Sequence, residues 1–229
     1  KLLKYLDKEG LADNTIVVYS SDQGFFLGEH GWFDKRWIFE ESMRTPFVVR
    51  WPGVTRPGQT CPAIVSNIDF AQTFLEAAGV PAPPEMQGAS LVSILKGQTP
   101  ADWRKSFYYH YYEYPVPHRV RPHEGVVTDR YKLVRIYMPE EPYWELYDRQ
   151  LDPQEMKSVY HDPSYAETIT TLKAELARLR RAGALGPSVG KRRNGGARAP
   201  AGPRWEAGRP GCARRSTGRA SSSKANCSP

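Results

Sequence analysis

One short stretch, Asp22 to Lys35, gathers side chains capable of chemistry. Asp22 and Gln23 put a carboxylate and an amide carbonyl on adjacent residues. Both are hard oxygen donors that suit Ca²⁺ or Mg²⁺ better than zinc or copper. Gly24 frees the backbone, so a tight turn can aim both at one point. The same tripeptide also closes a strand with no metal, because Asp and Gly are common turn formers. His30 sits between glycines in Gly28-Glu29-His30-Gly31. It is placed either to approach a ligand or simply to bridge loop carbonyls. Lys35 lies among Trp32, Phe33, Trp37 and Phe39, a setting in which an ammonium becomes a fixed point charge for an anion. A solvated Lys whose stem covers its aromatic neighbours is the plainer alternative.

The elements around this stretch read as α/β. Lys1 to Glu9 carries Leu2, Leu3 and Leu6 on one helical face, and Gly10 is a stop signal. Thr15 to Ser20 is a β-branched apolar run, the pattern of a strand buried on both faces. Its carboxyl end is Ser21-Asp22-Gln23-Gly24, and in open α/β sheets ligands bind at that end. Phe25 to Met43 reads as an ordered loop with a helical turn near Phe39 to Ser42. Pro46 to Trp51 is a second strand, closed by Pro52-Gly53. Ser66 or Asn67 caps a predicted helix from Ile68 to Ala78, and a shorter one spans Leu91 to Leu95. After Trp103 the pattern changes to short strands at Phe107–Tyr112, Gly125–Thr128, Tyr131–Ile136 and Trp144–Tyr147, a small antiparallel sheet. Tyr165 to Arg181 follows as a last amphipathic helix.

The chain has 229 residues and a formal net charge of +7, but that charge is not evenly spread. Residues 182–229 hold ten basic residues against Glu206 alone, while Lys1 to Arg181 is slightly acidic. The same stretch is rich in Gly and Pro and has Trp205 as its only aromatic residue, so it reads as a disordered basic tail. The predicted organisation is residues 1–102 as an α/β segment, 103–181 as a strand-rich subdomain and 182–229 as the tail. Without interleaved aromatics or a recognisable motif, the tail gives no reason to expect specific nucleic-acid binding. Polyanion binding by electrostatics alone stays open. No apolar run approaches the roughly 20 residues needed to span a bilayer. Cys61, Cys212 and Cys227 are too few for a disulfide framework, and zinc-finger spacing is absent. Lys1 opens without Met or a signal-peptide pattern, as in a chain cut from something longer or a mature product.

Taken together, the motifs form an ordered series. Ser21-Asp22-Gln23-Gly24-Phe25-Phe26-Leu27-Gly28-Glu29-His30-Gly31-Trp32-Phe33-Asp34-Lys35 resembles the type I, formylglycine-dependent sulfatases of the alkaline phosphatase-like superfamily. So do Glu40-Glu41-Ser42-Met43-Arg44-Thr45-Pro46, Val48 to Gly53, Asn67 to Thr73, Gln87 to Leu91, Gly125 to Leu133 and Glu145-Leu146-Tyr147-Asp148. The likeness extends from Lys1 to Arg181. It implies the C-terminal part of an alkaline phosphatase-like sandwich followed by a small antiparallel sheet with a terminal helix. It also implies a divalent cation, usually Ca²⁺, held on one side by Asp22 and Gln23. Lys35 would contact the sulfate ester oxygens, with His30 beside it as a second catalytic candidate. His118 and His123 lie in the later subdomain, which in this family often lines the substrate mouth. The substrate would be a sulfate ester, with sulfated sugars among the candidates, and the compartment periplasmic or extracellular.

One family element is missing from these residues. The nucleophile is a formylglycine made within Cys/Ser-x-Pro-x-Arg, and its hydrated aldehyde performs covalent catalysis. Cys61 is followed by Pro62-Ala63-Ile64-Val65, Cys212 by Ala213-Arg214-Arg215 and Cys227 by Ser228-Pro229, and no Ser fits. The motif, like the family's early acidic metal ligands, is expected upstream of Lys1. The 229-residue chain is accordingly expected to be inactive by itself and poorly stable, since a doubly wound sheet without its other strands exposes edges. A phosphate or phosphonate monoesterase of the same superfamily is the neighbouring alternative.

Overall fold

A computed structural model of the chain describes residues 1–114, 118–137 and 142–184. The helices are α1 (Leu2–Lys8), α2 (Glu40–Met43), α3 (Phe70–Ala77), α4 (Val92–Leu95) and α5 (Ala166–Ala184). The strands are β1 (Val17–Ser20), β2 (Phe47–Arg50), β3 (Ser106–Tyr111), β4 (His123–Thr128), β5 (Tyr131–Ile136) and β6 (Tyr143–Asp148). Helix α5 runs on past Arg181 to Ala184, into the segment read as tail. The rest of that tail lies outside the described residues.

β1 and β2 form an antiparallel ribbon in which Val18 faces Val49 and Tyr19 faces Val48. Directly opposed residues share a face. One face carries Ile16, Val18, Phe47, Val49 and Trp51, which meet Phe70 and Phe74 of α3 together with Leu91 and Leu95. The other face carries Tyr19 and Val48, 66% and 62% exposed. The expectation of a strand buried on both faces therefore fails. The β-branched run is apolar throughout, but α3 and α4 cover only one side of it. Helix α1 buries none of its residues either, and its Leu2 and Leu3 stay exposed.

The second sheet is an antiparallel meander, β3-β4-β5-β6. Its alternation sends two sets of side chains to opposite faces. Val126, Leu133 and Leu146 pack under Leu172 and Leu176 of α5. Val127, Val134, Ile136 and Tyr147 meet Phe26, Ile38 and Phe39 on the other face. The long loop between β1 and β2, which holds the chemistry-bearing residues, is thus clamped on the C-terminal sheet rather than left over the ribbon. Gly125 permits this contact: a Cβ there would lie 2.5 Å from Ile38 Cδ1 and 2.8 Å from the Leu133 carbonyl oxygen. Gly125→Ala should therefore push the loop off β4 and destabilise the chain by about 1–3 kcal/mol, read in a thermal melt.

Candidate active site

Helix α2 is short, and its sequence Glu40-Glu41-Ser42 makes a separate connection at each position. Ser42 is buried and ties the two halves of the expected site together. Its Oγ donates to the Lys35 carbonyl at 2.5 Å, and the Gln23 side-chain amide donates to the same carbonyl at 2.5 Å and to Ser42 Oγ at 3.3 Å. The Gly24 N–H donates to the Ser42 carbonyl at 2.9 Å. Two residues twelve apart in sequence, Gln23 and Lys35, are therefore locked to one another through α2. With both amide hydrogens of Gln23 directed into this junction, its Oε1 is the free end of the side chain. Asp22 next to it is exposed.

Gly24 is required for a different reason from the one its place in a turn suggests. Its φ is not in the left-handed region; instead, a Cβ there would lie 2.0 Å from the Glu41 carbonyl oxygen. The backbone of α2 passes where any side chain at position 24 would stand.

Glu41 connects to His30. The imidazole Nε2 lies 3.4 Å from Glu41 Oε2, and the side chain of His30 is 10% exposed. The ring stacks on Phe39 at 4.2 Å between centroids and meets Phe26 edge-on. His30 has φ +55, between Gly28 at +132 and Gly31 at +70. The glycine-flanked turn folds the imidazole back onto the protein, where it braces the loop.

Glu40 connects to a buried ionic cluster. Lys132 of β5, on the sheet face shared by Val134 and Ile136, is wholly buried, and its Nζ lies 2.6 Å from Glu155 Oε1 and 3.4 Å from Glu40 Oε1. Arg149 reaches Glu40 at 2.8 Å and Glu155 at 3.5 Å, and also donates to the Thr128 carbonyl. Glu155 Oε2 accepts from the backbone N–H of Glu40 at 3.0 Å. Two cations and two carboxylates balance. Burial still raises Glu155 and lowers Lys132 from their ordinary values, with each partner opposing the shift.

The two later histidines part company. His118 is exposed. His123 is fully buried, stacked on Trp37 at 4.6 Å, with Tyr109 and Tyr111 around it. Its Nδ1 lies 2.8 Å from the Arg121 carbonyl, so Nδ1 carries the proton and donates, and Nε2 has no partner among the described residues. Burial pushes the His123 pKa down to about 4 from 6.5. A depressed histidine contributes stability that is complete above the unfolded value and lost as pH falls toward the folded one. Comparing wild type with His123→Asn by chemical denaturation should isolate a loss of about 3 kcal/mol between pH 6.5 and pH 4, present only in wild type. Parallel pH curves for the two proteins would disprove it.

The structure thus brings Gln23, Lys35 and His30 into one assembly through α2, with Asp22 at its exposed edge. His118 and His123 do not enter the described contacts of that assembly. Ser42, Glu40 and Glu41 were visible in the sequence only as part of a family run, without individual roles. Lys132, Arg149 and Glu155 gave no signal, because a buried Lys and a solvated Lys look alike in sequence. Among the described residues, no group of three or more His, Cys, Asp or Glu is placed to hold a metal ion. Asp22 and Gln23 fit a hard cation by donor chemistry, but two oxygens fill only part of the six to eight positions Ca²⁺ takes.

Comparison with known proteins shows the family to which this fold belongs. Residues 28–182 match the family described as N-sulphoglucosamine sulphohydrolase, C-terminal, and the chain belongs to that family. An N-acetylglucosamine-6-O-sulfatase of Bacteroides thetaiotaomicron is 53% identical over 169 residues, covering 73% of this chain and 30% of the relative. A solved structure of a protein in complex with its substrate D-glucosamine-2-N,6-O-disulfate is 49% identical with a TM-score of 0.75, covering 79% of this chain and 37% of that one. A phosphonate monoester hydrolase of Agrobacterium radiobacter shares the fold at 24% identity, with a TM-score of 0.69 and coverage of 79% and 38%. The chain therefore spans only about a third of the length of these relatives.

Proposed function

We propose that this chain supplies the cation-binding and sulfate-binding side of a sulfuric ester hydrolase that acts on 6-O-sulfated glucosamine units. The observation that carries this reading is the Ser42 junction, which fixes Gln23 and Lys35 to a shared support. The sugar is suggested by the names of the similar proteins, an N-acetylglucosamine-6-O-sulfatase among them.

In this reading Asp22 and the Gln23 Oε1 would hold a divalent cation of the Ca²⁺ type. When bound, it would supply Lewis-acid charge at the sulfate group. Lys35 presents its ammonium to the ester oxygens and stabilises the charge that develops there. The Gln23 amide keeps its carbonyl oriented because both its hydrogens are engaged. His30 serves the loop as a brace, and His118 is the histidine free to meet a sugar. The nucleophile would come from a segment outside these 229 residues, so the chain alone is expected to be inactive.

The test is sulfate release from 6-O-sulfated N-acetylglucosamine by the complete gene product, with an aryl phosphate and an aryl phosphonate run in parallel. Lys35→Ala should lower kcat on the sulfated sugar by about 10²-fold to 10³-fold. Preferential hydrolysis of the phosphate or phosphonate ester would replace the sulfatase reading, and sulfatase activity from the isolated chain would refute the division of labour.

A further inference from the structure

We propose that Glu155, held by Lys132 and Arg149, is a positioning residue for the Gln23–Lys35 pair, acting at a distance through α2. The inference rests on the functional reading of that pair.

The connection is a continuous series of bonds. Glu155 lies in the loop between β6 and α5, in a left-handed backbone conformation with φ +56. Such a conformation in a residue with a side chain costs energy and persists where the surroundings fix it. Its carboxylate is only 1% exposed. One oxygen accepts from the Glu40 N–H, which is the first helical N–H of α2 and has no partner within the helix. The Glu40 side chain is gripped by Lys132 and Arg149. The start of α2 is thereby attached to the C-terminal sheet by backbone and side chain together.

Ser42 stands two residues further along the same short helix. It is the residue that accepts from Gly24 and Gln23 and donates to Lys35. A helix of four residues has almost no stability of its own. Its position is set by what holds its ends, so the placement of Ser42 follows from the grip on Glu40. The cluster is also costly to bury, since replacing a buried ion pair by apolar groups is often neutral or stabilising. An arrangement that adds little stability for its burial, yet attaches α2 at one defined point, suits positioning better than it suits bulk stabilisation.

The alternative is a purely structural cluster, and the two separate by where the effect is felt. Glu155→Gln keeps the shape while removing the charge, and Glu155→Gln with Lys132→Met removes both charges of the inner pair. Ser106→Ala serves as a control, because it cuts the half-buried contact with Glu175 on α5, which has no bond to α2 among the described residues. The readouts are hydrogen exchange of the Gly24 amide and the ¹H–¹⁵N signals of the Gln23 side-chain amide, measured on the complete gene product. In both Glu155 variants, Gly24 exchange should rise at least about 10-fold beyond any change in global stability, and the Gln23 signals should move toward those of a free amide. In Ser106→Ala, Gly24 exchange should follow global stability alone. Unchanged Gln23 signals, or Gly24 exchange that merely follows global stability in the Glu155 variants, would overturn the proposal. That result would leave the Lys35→Ala assay untouched, so the two ideas fail separately.

Discussion

Gly24→Ala is expected to dismantle the junction between the β1 turn and α2 while leaving the C-terminal sheet folded. The added Cβ would stand 2.0 Å from the Glu41 carbonyl oxygen, 2.9 Å from its carbon and 3.0 Å from the Ser42 carbonyl oxygen. These are backbone atoms, so no rotamer change relieves the clash. Either α2 or the turn after β1 has to move. Moving α2 breaks the Gly24–Ser42 bond and separates Gln23 and Lys35 from their shared anchor. The cost should reach or exceed about 3 kcal/mol, the upper end of ordinary overpacking. In the active enzyme, kcat should fall about as far as it does in Lys35→Ala.

Gly10→Ala provides the contrast. Gly10 has φ +67, and nothing stands within 4 Å of its would-be Cβ. There the penalty is only that of a side chain in the left-handed region, about 1–2 kcal/mol, with no effect on the Gln23 amide. If both alanine variants lose similar stability and neither perturbs Gln23, close backbone approach is not what Gly24 provides.

The difference between these glycines shows what the sequence could and could not convey. Gly10 was legible because a helix stop needs a residue tolerant of positive φ, and that need is local. The same locality explains why the antiparallel strands from Ser106 to Asp148 and the α5 stripe of Ile169, Leu172, Leu176 and Leu179 were readable from period and turn residues. Gly24 was read as a turn former, while its actual constraint comes from α2, well downstream in the chain. The ribbon was misjudged for a related reason. A β-branched run specifies a strand, but which of its faces is covered depends on elements elsewhere, and here α3 and α4 cover one. Within the site, Asp22, Gln23, Lys35 and His30 stood out by residue type and spacing. The parts that hold them, Ser42, Glu40, Lys132, Arg149 and Glu155, are of ordinary type and come from three distant segments. Only tertiary contact distinguishes them. His123 is the sharpest case, since as a bare letter it equalled His118, and the fold buries one in an aromatic box and exposes the other.

Asp69→Ala should be the other severe substitution, and it acts far from the junction. Asp69 was legible as part of a helix start, and the structure does place a capping box there, with Ser66 and Asp69 bonding reciprocally. The same carboxylate does more than cap. It is 0% exposed and accepts from the Ser66 N–H at 2.8 Å, from the Ala89 N–H at 2.9 Å and from both terminal nitrogens of Arg104. The Asp69 backbone carbonyl accepts from Thr73, whose hydroxyl oxygen in turn accepts from the Leu91 N–H. One side chain thus joins the start of α3, the approach to α4 and the segment leading into β3. Removing it leaves a half-buried guanidinium and two backbone donors without their acceptor. Deleting one partner of a buried pair costs about 3–5 kcal/mol, because the remaining charge stays desolvated. For a chain of this size each kcal/mol lowers the melting temperature by roughly 2–4 °C, so a drop of about 10 °C is expected. Adding Arg104→Met should recover part of the loss, since the stranded cation would be gone, while the two amide donors would remain unpaired. If Asp69→Ala costs less than about 1 kcal/mol, or if Arg104→Met worsens it additively, the carboxylate is a local helix cap and not the tie between these three segments.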